Sequence, residues 1–242
     1  MPQKHKYQKL SIVIPAHNEA ENIAELIDRV RAVKWPLLTE IIVINDGSTD
    51  GTAAEVSRLT GKDLKLVTNE SNLGKTQTVK RGIQMTTGDL VVVQDADLEY
   101  NPQELLGFIK LFTSSDIQVV YGNRFGKQNP VIYWQNWIGN RFLSLISSLF
   151  TYPRARIWTN DMEVCYKMIQ GDMAREIASE LTSTSSFGLE PEVTARLARR
   201  KPTFAEIPIS YNPRTHAQGK HISATKDGLL AIWQIVKFNL FS

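Results

Sequence analysis

The 242-residue chain is poor in the features that announce several protein classes. It has a single cysteine, Cys165. No internal disulfide can form, and no Cys/His spacing suggests zinc, so a reducing compartment is expected. No apolar run reaches eighteen residues, and "LSIVIP" behind the basic start "MPQKHKYQK" is too short for a signal peptide or a membrane span. No Walker-type loop or G-x-G-x-x-G follows the first apolar run, which argues against a P-loop or a dinucleotide fold. Internal repeats and low-complexity tracts are missing too. Charge is nearly balanced, with 28 Lys+Arg against 25 Asp+Glu and a net charge of +3, and this decides nothing about partners.

What is present is a series of short, continuous apolar runs rich in β-branched residues: 10–15, 40–46, 64–70, 89–95 and 117–123. Their continuity suits strands buried on both faces. Between the first two, Ile23, Leu26, Ile27, Val30 and Val33 recur at helical spacing, and a second helix is expected over 104–112 behind Pro102. The alternation predicts an α/β domain with a mostly parallel central sheet flanked by helices. In such sheets ligands gather at the carboxyl ends of the strands. The polar segments "PAHNE", "NDGSTDGT", "NESNLGK", "QDADLEY" and "GNR" follow the five runs in turn.

The fourth run ends in Asp95, Asp97 and Glu99. If the strand continued, the two aspartates would point to one side and repel each other. A hard divalent cation, Mg²⁺ or Mn²⁺, would relieve that repulsion and leave coordination positions for a diphosphate. The competing reading is a solvated turn that caps the next helix. Asp46, in a turn with Gly47 and Gly51, suits a base or ribose edge, or its segment is a helix cap formed by Thr49 or Asp50. Glu19 binds a ribose hydroxyl or favours the first turn of its helix. His17 reads as a loop histidine. Beyond residue 130 lie two aromatic, apolar stretches with flanking cations, "VIYWQNWIGNRFLSLISSLFTYPRARIW" and "KDGLLAIWQIVKFNLFS", which suit interfacial helices.

In order, "SIVIPAHNEAENI", "IIVINDGSTDGT", "NLGK", "DLVVVQDADLEYNP", "VYGNR", "DMEVCYK", "FGLEPEVTARLAR" and "EIPISYNPRTHAQGKHI" resemble the family 2 glycosyltransferases over about residues 10–228, specifically the dolichol- or polyprenol-phosphate sugar synthase branch. The resemblance implies a GT-A type, Rossmann-like catalytic domain over 1–225 and a C-terminal amphipathic helix over 226–242. It implies an inverting, metal-dependent transfer of a mannose- or glucose-like hexose from a GDP- or UDP-linked sugar to a polyprenyl or dolichyl phosphate.

On this resemblance the donor meets Pro15, His17, Glu19, Asp46, Asp95, Ala96 and Lys220, and the metal meets Asp95, Asp97 and Glu99. Asp97, Arg124 and Arg214 carry the chemistry. Arg124, Arg141 and Ser144 meet the acceptor phosphate, and Asp161 is a structural or acceptor-side acid. Cys165 is read as packing. Three positions depart from the family pattern: His17 in place of a tyrosine, Asn45 in place of an aspartate, and Thr76 in place of a glycine. The expected setting is the cytoplasmic face of a membrane, touched peripherally, with a membrane-embedded partner subunit or self-association as the alternative and no nucleic acid. Two rival readings stand beside this one. One is a sugar-hydroxyl acceptor with Glu190 or Glu192 as base, and the other is a non-catalytic nucleotide-sugar-binding subunit.

Overall fold

The computed structural model describes residues 6–59, 61–185, 187–214 and 224–241. The first run becomes β1 (Lys9–Ala16), buried almost throughout, and pairs in parallel with β2 (Leu38–Asn45) on one side and β4 (Leu90–Val93) on the other. Next to β2, and parallel to it, lies β3 (Leu64–Thr68). The expectation of parallel strands holds for this half of the sheet.

The other half differs. β6 (Lys167–Gln170) runs antiparallel between β4 and β5 (Val119–Asn123), and β7 (Phe204–Pro208) closes the edge parallel to β5. The order is β3-β2-β1-β4-β6-β5-β7. Because β6 is antiparallel to both β4 and β5, β5 points the same way as β1 to β4, so its polar end joins theirs on one rim. Because β6 is reversed, it presents its start, with residues 161–166 before it, to that same rim.

Helices cover both faces. α1 (Ile23–Ala32) turns Ile23, Leu26, Ile27 and Val30 inward at the expected spacing, while Val33 is the extended residue that ends it. α2 (Thr52–Arg58) follows a turn in which Asp50 accepts from the Thr52 amide at 2.9 Å. Pro102 opens a 3₁₀ turn capped by Asn101, and α4 (Leu105–Ser114) continues it. α3 (Lys75–Gln84) and α6 (Gly171–Glu180) pack together, and the chain closes with α5 (Trp134–Ala155), α7 (Leu189–Arg200) and α8 (Ala224–Leu240) packed against one another. Leu143 of α5, Met162, and Ala231 and Ile235 of α8 form a small second core there.

One glycine fixes how close α3 comes to the sheet. A Cβ at Gly82 would stand 2.4 Å from Val13 Cγ1 and 3.1 Å from Ile44 Cγ1, both on fully buried strand residues. Alanine in a helix gains about 1 kcal/mol over glycine, but overpacking a dense core costs about 1–3 kcal/mol. Gly82→Ala is therefore expected to lower stability by roughly 1 kcal/mol, read as a lower midpoint in urea unfolding. A raised midpoint would show that the helix shifts to accommodate the methyl group.

Candidate active site

The carboxyl rim carries two clefts. The smaller, about 410 Å³, lies over the ends of β1 and β2 and is lined by Pro15, His17, Glu19, Asp46, Asp95, Ala96, Asp97 and Arg214. The larger, about 590 Å³, lies between the ends of β4 and β5 and the start of α5, with Glu99, Arg124, Trp137 and Glu190 in its lining. Lys75, Asp95, Asp97 and Arg214 line both and form the wall where they meet.

The carboxylates of that wall are not on a continued strand. β4 stops at Val93, and the chain turns through Leu98, whose φ of +61° is left-handed. A leucine in that conformation costs about 1–2 kcal/mol. The turn is held by the Glu99 amide, which donates to Asp97 Oδ1 at 3.2 Å. It gives each acid its own cation. Lys75 Nζ lies 3.1 Å from Asp95, and Arg214 lies 3.1 Å from Asp97 and 3.2 Å from Glu19. Glu99 is turned aside, accepting from the Tyr211 hydroxyl at 2.7 Å and from the Arg214 amide at 2.7 Å. The expected triad Asp95, Asp97 and Glu99 is therefore not gathered, and among the described residues no three His, Cys, Asp or Glu side chains converge on a metal position.

Burial sets the electrostatics. It pushes the Asp97 carboxyl up to about 7, helped by the negative charges of Asp95 and Glu99 and opposed by Arg214. Burial raises the Asp95 carboxyl most, yet Lys75, the Cys165 thiol and Lys167 together hold it below its usual range. Lys75 reaches a second anion as well, Glu190 at 3.3 Å. Between these two anions its ammonium is held well above the ordinary range despite burial. Sequence reasoning quoted Lys75 within "NLGK" and gave it no role.

Asp46 accepts from Asn69 Nδ2 at 2.7 Å and from the amides of Leu73 and Gly74, each at 2.9 Å. It shapes the loop before α3 as much as it lines the cleft. Asn72 donates to His17 Nε2 at 3.1 Å, which leaves the ring proton on Nδ1 to donate to the Asp46 carbonyl at 2.8 Å. The ring is thus fixed at the cleft edge. Lys220 lies outside the described residues.

In the larger cleft Arg124 makes a fork on Asp161, with Nε and Nη2 each at 2.7 Å and its own amide at 2.9 Å. Its guanidinium also stacks 5.0 Å from the Tyr211 ring. A buried, doubly held arginine is pre-oriented for an anion. Arg141 and Ser144 are not brought to this cleft. Arg141 is exposed and rests 5.4 Å and 5.9 Å from the rings of Phe125 and Trp137. Ser144 is buried, donating to the Asn140 carbonyl at 2.7 Å and accepting from the Met162 amide at 2.9 Å. The face of α5 that lines the cleft carries Asn136, Asn140 and Leu143 instead. Cys165 is buried, its thiol pushed well up by burial and by Asp95, which suits packing rather than nucleophilic attack.

Glu192 is fully buried and accepts from the amides of Thr182 and Ser183 at 2.9 Å and 2.8 Å and from Arg196 Nη2 at 2.6 Å. No lone pair is left for a substrate. Breaking a buried ion pair costs about 3–5 kcal/mol, and Arg196 keeps Glu180 at 2.9 Å. Glu192→Ala is accordingly expected to cost roughly 3 kcal/mol in urea unfolding. A variant of unchanged stability would return Glu192 to the candidate bases.

Comparisons with known proteins agree with this architecture. The sequence profile of the family described as Glycosyl transferase family 2 matches residues 11–171. The dolichol-phosphate mannosyltransferase of Pyrococcus furiosus is 34% identical over 128 residues, 52% of this chain and 36% of that protein. The dodecaprenyl-phosphate galacturonate synthase of Rhizobium johnstonii is 26% identical over 148 residues, 58% of this chain and 44% of that protein. The chain thus spans less than half the length of either relative.

In fold, the chain is similar to the crystal structure of glucosyl-3-phosphoglycerate synthase from Mycobacterium tuberculosis in complex with Mn²⁺, UDP and glucosyl-3-phosphoglycerate. The TM-score is 0.67 at 19% identity, over 96% of this chain and 80% of that one. Mannosyl-3-phosphoglycerate synthase from Rubrobacter xylanophilus gives a TM-score of 0.70 at 19% identity, over 96% and 72%. The fold is that of GT-A glycosyltransferases. With its profile matched over most of its length, the chain belongs to glycosyl transferase family 2.

Proposed function

We propose that the chain transfers a hexose, with inversion, from a nucleoside diphosphate sugar to a polyprenyl phosphate. The observation that carries the reading is the pair of clefts sharing one charged wall, with a pre-oriented arginine in the larger. The nucleotide would lie over β1 and β2 against Pro15, His17, Glu19, Asp46 and Ala96, its diphosphate near Asp95, Asp97 and Arg214. The acceptor phosphate would meet Arg124. The names of the two sequence relatives support a lipid phosphate as acceptor.

An ionised phosphate oxygen attacks the anomeric carbon without a base to deprotonate it. The site suits that economy, since Glu192 is consumed by the fold and Glu190 is paired with Lys75. Arg214 supplies positive charge to the departing diphosphate, and Arg124 lessens repulsion between the two phosphate-bearing substrates.

The donor set fits a hard divalent ion: two carboxylates at the shared wall, one of them pushed up to about 7 by burial and then by the negative charges of Asp95 and Glu99. Asp95 and Asp97 would hold Mg²⁺ or Mn²⁺. When bound, the ion supplies Lewis-acid stabilisation of charge on the leaving nucleoside diphosphate.

A membrane lipid as acceptor also makes sense of an exposed apolar face. Trp134, Ile138, Phe142, Leu145 and Leu149 form an outward stripe along α5, and Leu229, Leu230, Trp233, Leu240 and Phe241 form another along α8 and the residue after it. Among the described residues no helix is long and apolar enough to cross a bilayer. The larger cleft is lined by the beginnings of these helices, at Trp137 and Gly228, and Arg141, Arg154, Arg156 and Lys237 lie along or at the ends of the stripes. Apolar stripes bordered by cations fit the surface of an anionic bilayer.

Two experiments test the reading. Radiolabelled sugar from a panel of GDP- and UDP-sugars is offered with polyprenyl phosphate in detergent, with Mn²⁺ or Mg²⁺ and then with chelator. We expect an organic-extractable product that vanishes with chelator and in Asp97→Asn. Nucleotide-sugar binding with no lipid product from any donor would refute the acceptor. Burying one large apolar side chain is worth about 1.5–3 kcal/mol. Trp134→Ser with Trp233→Ser should therefore weaken binding to vesicles containing anionic phospholipid by at least about ten-fold, and unchanged sedimentation with vesicles would refute the docking face.

A further inference from the structure

One carboxyl of the larger cleft has an oxygen without a partner. Glu163, in the segment entering β6, lines the cleft that also holds Arg124. Its Oε1 is sealed from solvent and has no hydrogen-bond partner among the described residues, which disfavours the carboxylate and leaves Oε2 as the oxygen that meets the cleft. The charged groups that face it are Glu190 on α7, Lys167 on β6, Arg124 beyond β5 and Asp161 in its own segment. Their own contacts are already made. Arg124 is forked on Asp161, Lys75 bridges Asp95 and Glu190, and the Lys167 ammonium donates to the Val164 carbonyl.

The charges do not balance. Of the groups that face Glu163, Arg124 and Lys167 stand against Asp161, Glu190 and Glu163 itself, one more acid than base. Such a cluster takes up a proton, and the acid without an ion pair is the one that keeps it. Burial first, and then the charge of Glu190, push the Glu163 carboxyl up to about 8 against the pull of Lys167 and Arg124.

We propose that Glu163 works as a neutral carboxylic acid in the acceptor site, donating a hydrogen bond to an oxygen of the acceptor phosphate beside the guanidinium of Arg124. This rests on the reading that the cleft takes a phosphate monoester. The proton stays on Glu163, and no bond is made or broken by it. A carboxylic acid held neutral in this way donates a strong hydrogen bond to an anion, whereas its carboxylate would repel the phosphate. It therefore favours an anionic acceptor over a neutral alcohol.

The sign of the pH dependence follows. The folded pKa lies above the ordinary value, so the acid form is complete at low pH and is lost as pH rises through about 8. A phosphate monoester is already dianionic above its second pKa of about 6, so the acceptor itself does not titrate in that window.

The test uses the whole chain and two probes, farnesyl monophosphate for binding by calorimetry and polyprenyl phosphate for kinetics, from about pH 6.5 to 9.5. The wild-type KM for the acceptor should be flat at first and then rise roughly ten-fold per pH unit, as expected for loss of one proton. Glu163→Gln, which keeps a neutral donor, should hold the acceptor affinity within about two-fold and abolish the alkaline rise. Glu163→Ala should weaken acceptor binding about ten-fold, the loss of one hydrogen bond to a charged group, with the donor KM unchanged.

The proposal is overturned if wild-type acceptor affinity ignores pH, if the Gln variant is as weak as the Ala variant, or if the donor KM moves instead. Binding of farnesyl monophosphate that is lost in Arg124→Ala but indifferent to Glu163 removes only this inference. No binding to wild type at all removes the acceptor reading and the inference with it.

Discussion

A half-buried ammonium between two carboxylates holds this site together. Lys75 stands at the N-terminus of α3, where the helix dipole disfavours a cation, and it is kept there by Asp95 at 3.1 Å and Glu190 at 3.3 Å. It thereby ties the end of the parallel sheet to α7. Removing the lysine would leave Asp95 and Glu190 without the cation that lies between them. The wall needs it because Asp97 and Glu99 already crowd the same turn. A second compensation is Arg214, half-buried across Asp97 and Glu19.

The two cations divide the work by location. Lys75 belongs to a helix packed on the sheet and holds one geometry, while Arg214 reaches the rim from the segment after β7. A divalent ion arriving at Asp95 and Asp97 would meet a fixed charge on one side and a long side chain on the other.

The parallel half of the sheet was legible in the sequence because a strand buried on both faces must be apolar, and the runs that became β1, β2 and β4 are, whereas β3, at the sheet edge with Lys65 in it, is half-exposed. Strand β6 was not, since "KMIQ" is four residues long with a charged and a polar end. Glu19, Asp46 and Asp95 were legible as polar strand ends, Pro15, His17 and Ala96 through the resemblance, and all six share a cleft. The carboxylate geometry was not, because extrapolating the strand ignored the left-handed turn at Leu98. Arg141 and Ser144 show another limit. Spacing along a helix says which residues share a side, not which side looks into a cleft, and tertiary packing chose the face of Asn136, Asn140 and Leu143. Lys75 and Glu190 are 115 positions apart, and nothing local in either segment points to the other.

The reversed strand has a consequence for how such a site diversifies. Residues that follow β1, β2 and β4 line the smaller cleft, whereas the larger takes Arg124 from the end of β5, before the long excursion through α5, and Glu163 from the segment that precedes β6, after it. Lengthening or recasting that excursion leaves β1, β2 and β4 in register. On the proposed function, a lineage can in this way change the residues offered to the acceptor while those offered to the nucleotide stay in place.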